Sequence, residues 1–198
     1  MPFNVNDFKQ NLINEGARPT LFDVQFTLPP DVANNGVTDL APQEVQFRCK
    51  AAQLPASTVG LIEVPYFGRK IKVAGDRTFA DWTITIINDE SFSIRTKLQG
   101  WSNSINQHVS NTRPANNYKT NITVTQYSKA NTEAQGLVTY TLYNCWPSEI
   151  AAIDLSWETN DTIEEYTVTW QYDYWQLTNN GGPASGTAFG LEIGRAHV

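Results

Sequence analysis

"IEEYTVTWQYDYW", residues 163–175, decides the fold class. Val168, Trp170, Tyr172 and Tyr174 fall on one side of an extended chain, with Thr169, Gln171 and Asp173 on the other. That alternation predicts a strand with one dry face, since successive side chains of a strand point to opposite faces. Working outward, "WTITII" (82–87), "NITVTQY" (121–127), "GLVTYTLYNCW" (136–146) and "AIDLSW" (152–157) predict further strands. In "FDVQFTL" (22–28), Phe22, Val24, Phe26 and Leu28 alternate with Asp23, Gln25 and Thr27. In "VQFRCKA" (45–51), Val45, Phe47, Cys49 and Ala51 alternate with Gln46, Arg48 and Lys50. These two segments flank "PPDVANNGVTDLAPQE" (29–44), whose Pro, Asn, Asp and Gly content predicts a long loop joining an antiparallel pair. Residues 62–66 and 69–74 are short extended pieces.

The period changes only twice. After Asn88, Phe92, Arg95, Leu98, Trp101 and Ile105 recur at helical spacing. Asn88 is the expected cap, with Asp89 and Glu90 where the helix dipole favours negative charge. A short N-terminal helix, capped by Asn6 or Asp7 and ended by Gly16, is expected to gather Phe8, Leu12 and Ile13 on one face. The expectation is seven or eight antiparallel strands with two short helices: a mainly β sandwich or barrel with one helix packed against it. Residues 1–175 form the domain. "QLTNNGGPASGTAFG" reads as the start of a flexible C-terminal tail over 176–191. "EIGRAHV", residues 192–198, back-translates to the start of a common short-read sequencing adapter. It is read as non-native read-through and kept out of the fold.

Composition narrows the function classes. Apolar residues make up 40% and charged residues 17% of 198, enough to fill a real core in one domain. Six Trp, eight Tyr and nine Phe favour a well-filled core, a large interface, or both. A formal charge of −6 opposes the cationic balance of a nucleic-acid clamp. No apolar run approaches the ~20 residues of a membrane span, so no membrane insertion is expected. "MPFNVNDFKQ" lacks a basic leader and an apolar core, which predicts a chain made and kept in a cytoplasm. Cys49 and Cys145 lack partners at metal-ligand spacing and read as two buried thiols in strands, while spacing alone leaves a disulfide between them open.

No catalytic constellation stands out. Outside the excluded 192–198 segment His108 is the single histidine, in a polar loop, so a histidine-activated nucleophile has little to rest on. Asp154, Glu158, Asp161, Glu164 and Glu165 cluster around an expected turn, where carboxylates are ordinary solvated residues. "RKIKVAGDRTF" (69–79) gathers Arg69, Lys70, Lys72 and Arg77 around Gly75-Asp76. A phosphate cradle needs several exposed amides at a helix start. A lone Gly predicts a tight turn instead, with the cations facing an acidic partner. No cofactor or metal is expected. The aromatic load also admits a carbohydrate-binding sandwich, with Trp175, Tyr127 and Tyr143 as candidate stacking platforms.

Longer motifs carry a resemblance. "ARPTLF" (17–22), "FRCKAAQLPAS" (47–57), "VPYFGRKIKVAGDRTFADWTITIINDE" (64–90), "WPSEIAAIDLSW" (146–157) and "DTIEEYTVTWQYDYW" (161–175) resemble the tail tube proteins of contractile-tailed, T-even-type bacteriophages. The likeness is nearest to forms carried by marine relatives of those phages. It runs from about residue 4 to 175 in order; only 29–44 and the end after Trp175 look longer. The resemblance implies a non-enzymatic virion subunit that forms hexameric rings stacked into the inner tail tube. Its implied partners are its own copies, the tail sheath protein, the baseplate tube initiator, the tail terminator and the tape-measure protein in the lumen. DNA would pass through without specific binding. Assembly would take place in the host bacterial cytoplasm. A baseplate tube initiator or a type VI secretion tube protein would share the fold. Arg69, Lys70, Lys72, Asp76 and Arg77 are the candidate subunit-contact residues.

Overall fold

The computed structural model describes residues 5, 9, 16–34, 37, 40–113, 117–128 and 136–180. Nine strands and three helices are defined among them: β1 (Phe22–Phe26), α1 (Pro30–Asn34), α2 (Pro42–Arg48), β2 (Cys49–Ala52), β3 (Thr58–Tyr66), β4 (Arg69–Thr78), β5 (Trp82–Ile87), α3 (Ser93–Ile105), β6 (Thr120–Gln126), β7 (Val138–Ile150), β8 (Glu165–Gln171) and β9 (Tyr174–Asn180). All pairings are antiparallel, so the mainly β expectation holds. The expected N-terminal helix lies outside the described residues except for Lys9, which is helical. Gly16 holds φ 86°, the left-handed conformation a helix terminator uses. Residues 181–198, with most of the expected tail, also lie outside.

Seven strands run in the order β1-β6-β7-β8-β5-β2, with β9 beside β7. The long β7 serves two layers. Its first half pairs with β6 and β9, and its second half pairs with β8. The change falls at Asn144, which holds φ 59°, a conformation in which Asn is among the tolerated residues. The Asn144 amide donates to Asp173 Oδ2 at 2.7 Å, and the Asp173 N–H donates to Tyr143 O at 3.1 Å. A bulge in β7 therefore faces a break between β8 and β9, and the sheet turns over there. The single strand expected over 163–175 is thus two, and Tyr174 is exposed, unlike the buried Val168 and Trp170. Residues 176–180 continue β9, where composition alone suggested a tail.

The turned sheet encloses the core. Phe26 of β1 meets Trp170 of β8 edge to face at 4.9 Å, and Trp101 of α3 meets Trp170 at 5.5 Å. Trp82, Ile84 and Ile86 of β5 point into the same core. The Trp82 and Trp101 indole N–H groups donate to Gln53 O and Tyr118 O at 2.6 and 2.8 Å, so both rings are buried without a lost hydrogen bond. α3 covers the core through Ile94, Leu98 and Trp101. Leu98 and Trp101 of the expected face are buried and Ile105 packs against the core, but Ile94 takes the place of Arg95, and Phe92 is exposed and sits before the helix at φ 52°. Asn88 is not the cap. It is buried and donates to Glu164 Oε2 at 2.9 Å, while its N–H reaches Glu164 O.

Residues 29–48 depart most from expectation. The loop contains α1, and "VQFRCKA" enters as α2 before extending into β2. Pro42 lies in the first turn with Glu44 beside it and Arg48 in the last turn, the placements that suit a helix and its dipole. Val45 is buried but Phe47 is 81% exposed, which a strand register would not give. β1 and β2 are accordingly not a pair: β1 lies on β6 and β2 on β5. α2 bridges them, with Gln46 donating to the buried Asp23 carboxylate at 2.9 Å. "AIDLSW" is not a strand either. Residues 151–164 form an irregular loop in which Leu155 and Trp157 are 81% and 99% exposed.

Candidate subunit-contact surface

β3 and β4 form a separate two-stranded sheet. Every residue of β3 is exposed, and in β4 all but Gly75 are. The turn is not at Gly75-Asp76, as expected, but at Phe67-Gly68, where φ is 41° and 80°. Two positive φ values are what a tight hairpin turn matching strand twist requires. Gly75 has another role. A Cβ there would lie 3.2 Å from Gly60 C and 3.3 Å from Gly60 O, and one on Gly60 would lie 3.1 Å from Asp76 O. The two glycines let the backbones close up at the register shift between Val59 and Leu61.

Directly opposed residues share a face of an antiparallel ribbon. One face carries Ile62 opposite Val73, Val64 opposite Ile71, and Tyr66 opposite Arg69. The other carries Leu61 opposite Ala74, Glu63 opposite Lys72, and Pro65 opposite Lys70. The ribbon therefore has an apolar face and a charged face, both in solvent. A lone two-stranded ribbon is only marginally stable in water. An uncovered apolar stripe of this kind marks a site of association. At the tip, Phe67 is 90% exposed.

The five residues singled out from the sequence all lie on this hairpin, but they do not converge. Arg69 to Arg77 is eight residue steps, about 27 Å of strand, too extended to hold one small ligand. Lys70 pairs with Glu63 across the charged face. Among the described residues Arg69, Lys72, Asp76 and Arg77 have no ion pair. Such charges are available to another molecule.

The remaining candidates sit elsewhere. The His108 side chain is exposed, and its backbone N–H donates to Asn103 Oδ1 at 3.1 Å. Glu165 pairs with Lys50 and Glu164 accepts from Asn88, so the carboxylate cluster is divided between structural contacts and the open loop. Trp175 is half-buried and meets the Tyr140 ring at 5.3 Å, Tyr143 stacks on Tyr174 at 4.8 Å, and the Tyr127 hydroxyl donates to Asp23 at 2.9 Å. Each candidate stacking ring is already engaged within the chain. Cys49 and Cys145 are free thiols. Sequence reasoning missed Leu155 and Trp157 as surface residues because their loop carries apolar side chains in a strand-like pattern. The apolar residues on both registers of residues 59–66 were the available signal for a ribbon without a core.

An antiparallel sheet turned over its core, holding out an exposed ribbon with an apolar face, has the build of a structural subunit. The chain belongs to the phage tail tube protein family, whose model matches residues 17–178. It is 35% identical over 164 residues to the tail tube protein of Enterobacteria phage T4, covering 81% of this chain and 91% of that one. With the tail tube protein of Serratia phage KSP90 the identity is 26% over 172 residues, covering 85% and 93%. Among solved structures, the fold is similar to a chain in the sheath/tube terminator of an extracellular contractile injection system, with TM-score 0.60, 18% identity and coverage of 85% and 100%. A chain of the anti-feeding prophage baseplate matches at TM-score 0.56 and 12% identity, covering 83% and 97%. This chain is therefore a structural protein of the phage tail tube type.

Proposed function

We propose that the chain forms hexameric rings that stack into the inner tube of the tail, with the β3–β4 hairpin as a contact between copies. The observation that carries this is the hairpin itself: an exposed apolar face and unpaired charges on a ribbon that no other described residues bury. Ring closure consumes surfaces that a monomer would leave exposed, including strand edges. Stacking adds copies without limit, so tube length has to be set by another component.

The sheath protein surrounds this tube, the baseplate initiator starts it, the tape-measure protein occupies its lumen and a terminator closes it. Assembly takes place in the host cytoplasm. With a net charge of −6, the wall repels DNA over about a Debye length instead of gripping it. Residues 1–175 with the remainder of β9 act as the tube domain, and the segment beyond stands outside it. Arg69, Lys70, Lys72, Asp76 and Arg77 serve in the contact. Single exposed ion pairs contribute only about 0–1 kcal/mol, but repetition along a tube lets them set register.

Electron microscopy of purified protein tests the reading. Wild type is expected to give long hollow tubes at high concentration. Asp76→Lys and Arg77→Glu are each expected to shorten or abolish them. Variants that polymerise as well as wild type would remove these residues from the contact.

A further inference from the structure

The hairpin and the exposed 151–164 loop leave the same sheet at opposite ends. β5 and β8 pair from Trp82 with Trp170 at one end to Ile87 with Glu165 at the other. The hairpin is inserted between β2 and β5 at the Trp82 end, where Ala56 O accepts from the Trp175 indole at 3.2 Å. The 151–164 loop runs from the end of β7 into Glu165, at the Ile87 end. About 17 Å of strand separates the two exits. A chain thus carries one such surface at each end of this strand pair.

The two surfaces match in chemistry. The loop exposes Leu155, Trp157 and Ile163 with no core residue over them. It carries Asp154, Glu158, Asp161 and Glu164 and has no Lys or Arg. Of these, Asp154, Glu158 and Asp161 are exposed and make no ion pair among the described residues. The hairpin offers the reverse: an apolar face of Ile62, Val64, Tyr66, Ile71 and Val73, with Arg69 on it and Lys72 and Arg77 unpaired nearby. Trp and Arg are the residue types on which interface energy concentrates. Opposite charge with matched apolar area gives both attraction and register.

We propose that the 151–164 loop of one copy docks on the β3–β4 hairpin of the next, Trp157 and Leu155 seating on the apolar face and Asp154 facing Arg69 on that same face. This rests on the tail tube reading and names the partner surface within it. Because the two patches differ and lie at opposite ends, the contact is head-to-tail, the type that propagates into a filament.

Charge reversal separates the possibilities, with assembly followed by sedimentation and negative-stain microscopy. Trp157→Ala is expected to raise the concentration needed for tubes about thirtyfold. Asp154→Lys is expected to abolish tubes, and adding Arg69→Glu to the same chain is expected to restore them. All three side chains are exposed, and melting of dilute protein checks that each variant folds. Tubes that survive both the Trp157 and the aspartate changes would overturn the docking and leave the tube reading standing. Loss without rescue by the hairpin reversal would overturn the hairpin as partner. Wild-type chains that stay single at every concentration would bring down the tube reading itself.

Discussion

Cys145, Cys49 and Tyr166 show what burial does to single groups. Burial pushes the Cys145 and Cys49 thiols up from 9.0 to about 12, and the Tyr166 hydroxyl up from 10.0 to about 12. Each is neutral in the folded chain while the unfolded chain has already lost the proton. Between pH 9 and about 12 the folded state therefore binds more protons, and stability falls as pH rises through that window. Below pH 9 these groups contribute no slope. Thermal melts are expected to be flat in this respect up to about pH 9 and to decline above it. Cys145→Ala is expected to make that decline shallower. A slope unchanged by the substitution would show that the thiol is not protected as its position implies.

Among the elements, the hairpin is held by its own ladder and its turn, not by the core. Phe67 is poorly suited to the monomer on two counts: its φ of 41° is costly for an aromatic residue, and its ring is in water. Asn is better adapted to that turn position. Phe67→Asn is therefore expected to leave the monomer melting temperature unchanged or slightly higher, and to raise the concentration for tube formation about tenfold. A variant that assembles as readily as wild type would show that the tip makes no contact. α2 teaches a different lesson. Its apolar alternation suggested a strand, yet Pro42, Glu44 and Arg48 were helix signals at the right places. Only packing could choose between them, because a segment of seven residues satisfies either period.

At the scale of the whole molecule, folding and assembly are linked. Chains withdrawn into a tube are stabilised by mass action, so the melting temperature is expected to rise with protein concentration. Dilute protein should melt at a fixed lower temperature, as should the Asp154→Lys variant at any concentration. Differential scanning calorimetry over a hundredfold concentration range measures this. An invariant melting temperature in wild type would show that the contacts between copies add nothing to stability.

The amino-acid sequence by itself determined the mainly β class, the strands β1, β5, β6 and β8, the helix α3 and the family. Period-two alternation around Val168 and Trp170, or around Trp82, Ile84 and Ile86, is a local property that survives any choice of neighbours. Arg69, Lys70, Lys72, Asp76 and Arg77 were legible as a charged stretch without catalytic spacing, but not as parts of an exposed hairpin. Tertiary structure alone decided that Gly75 faces Gly60 instead of turning the chain, that β7 serves two layers through Asn144, and that β1 pairs with β6 and not with β2. It alone decided that Trp157 stands in water while Trp170 stands in the core. Alternation says that one face of a strand is dry, but not which element dries it. Pairing, bulges and exposure depend on residues far apart in the chain, and no local pattern records them.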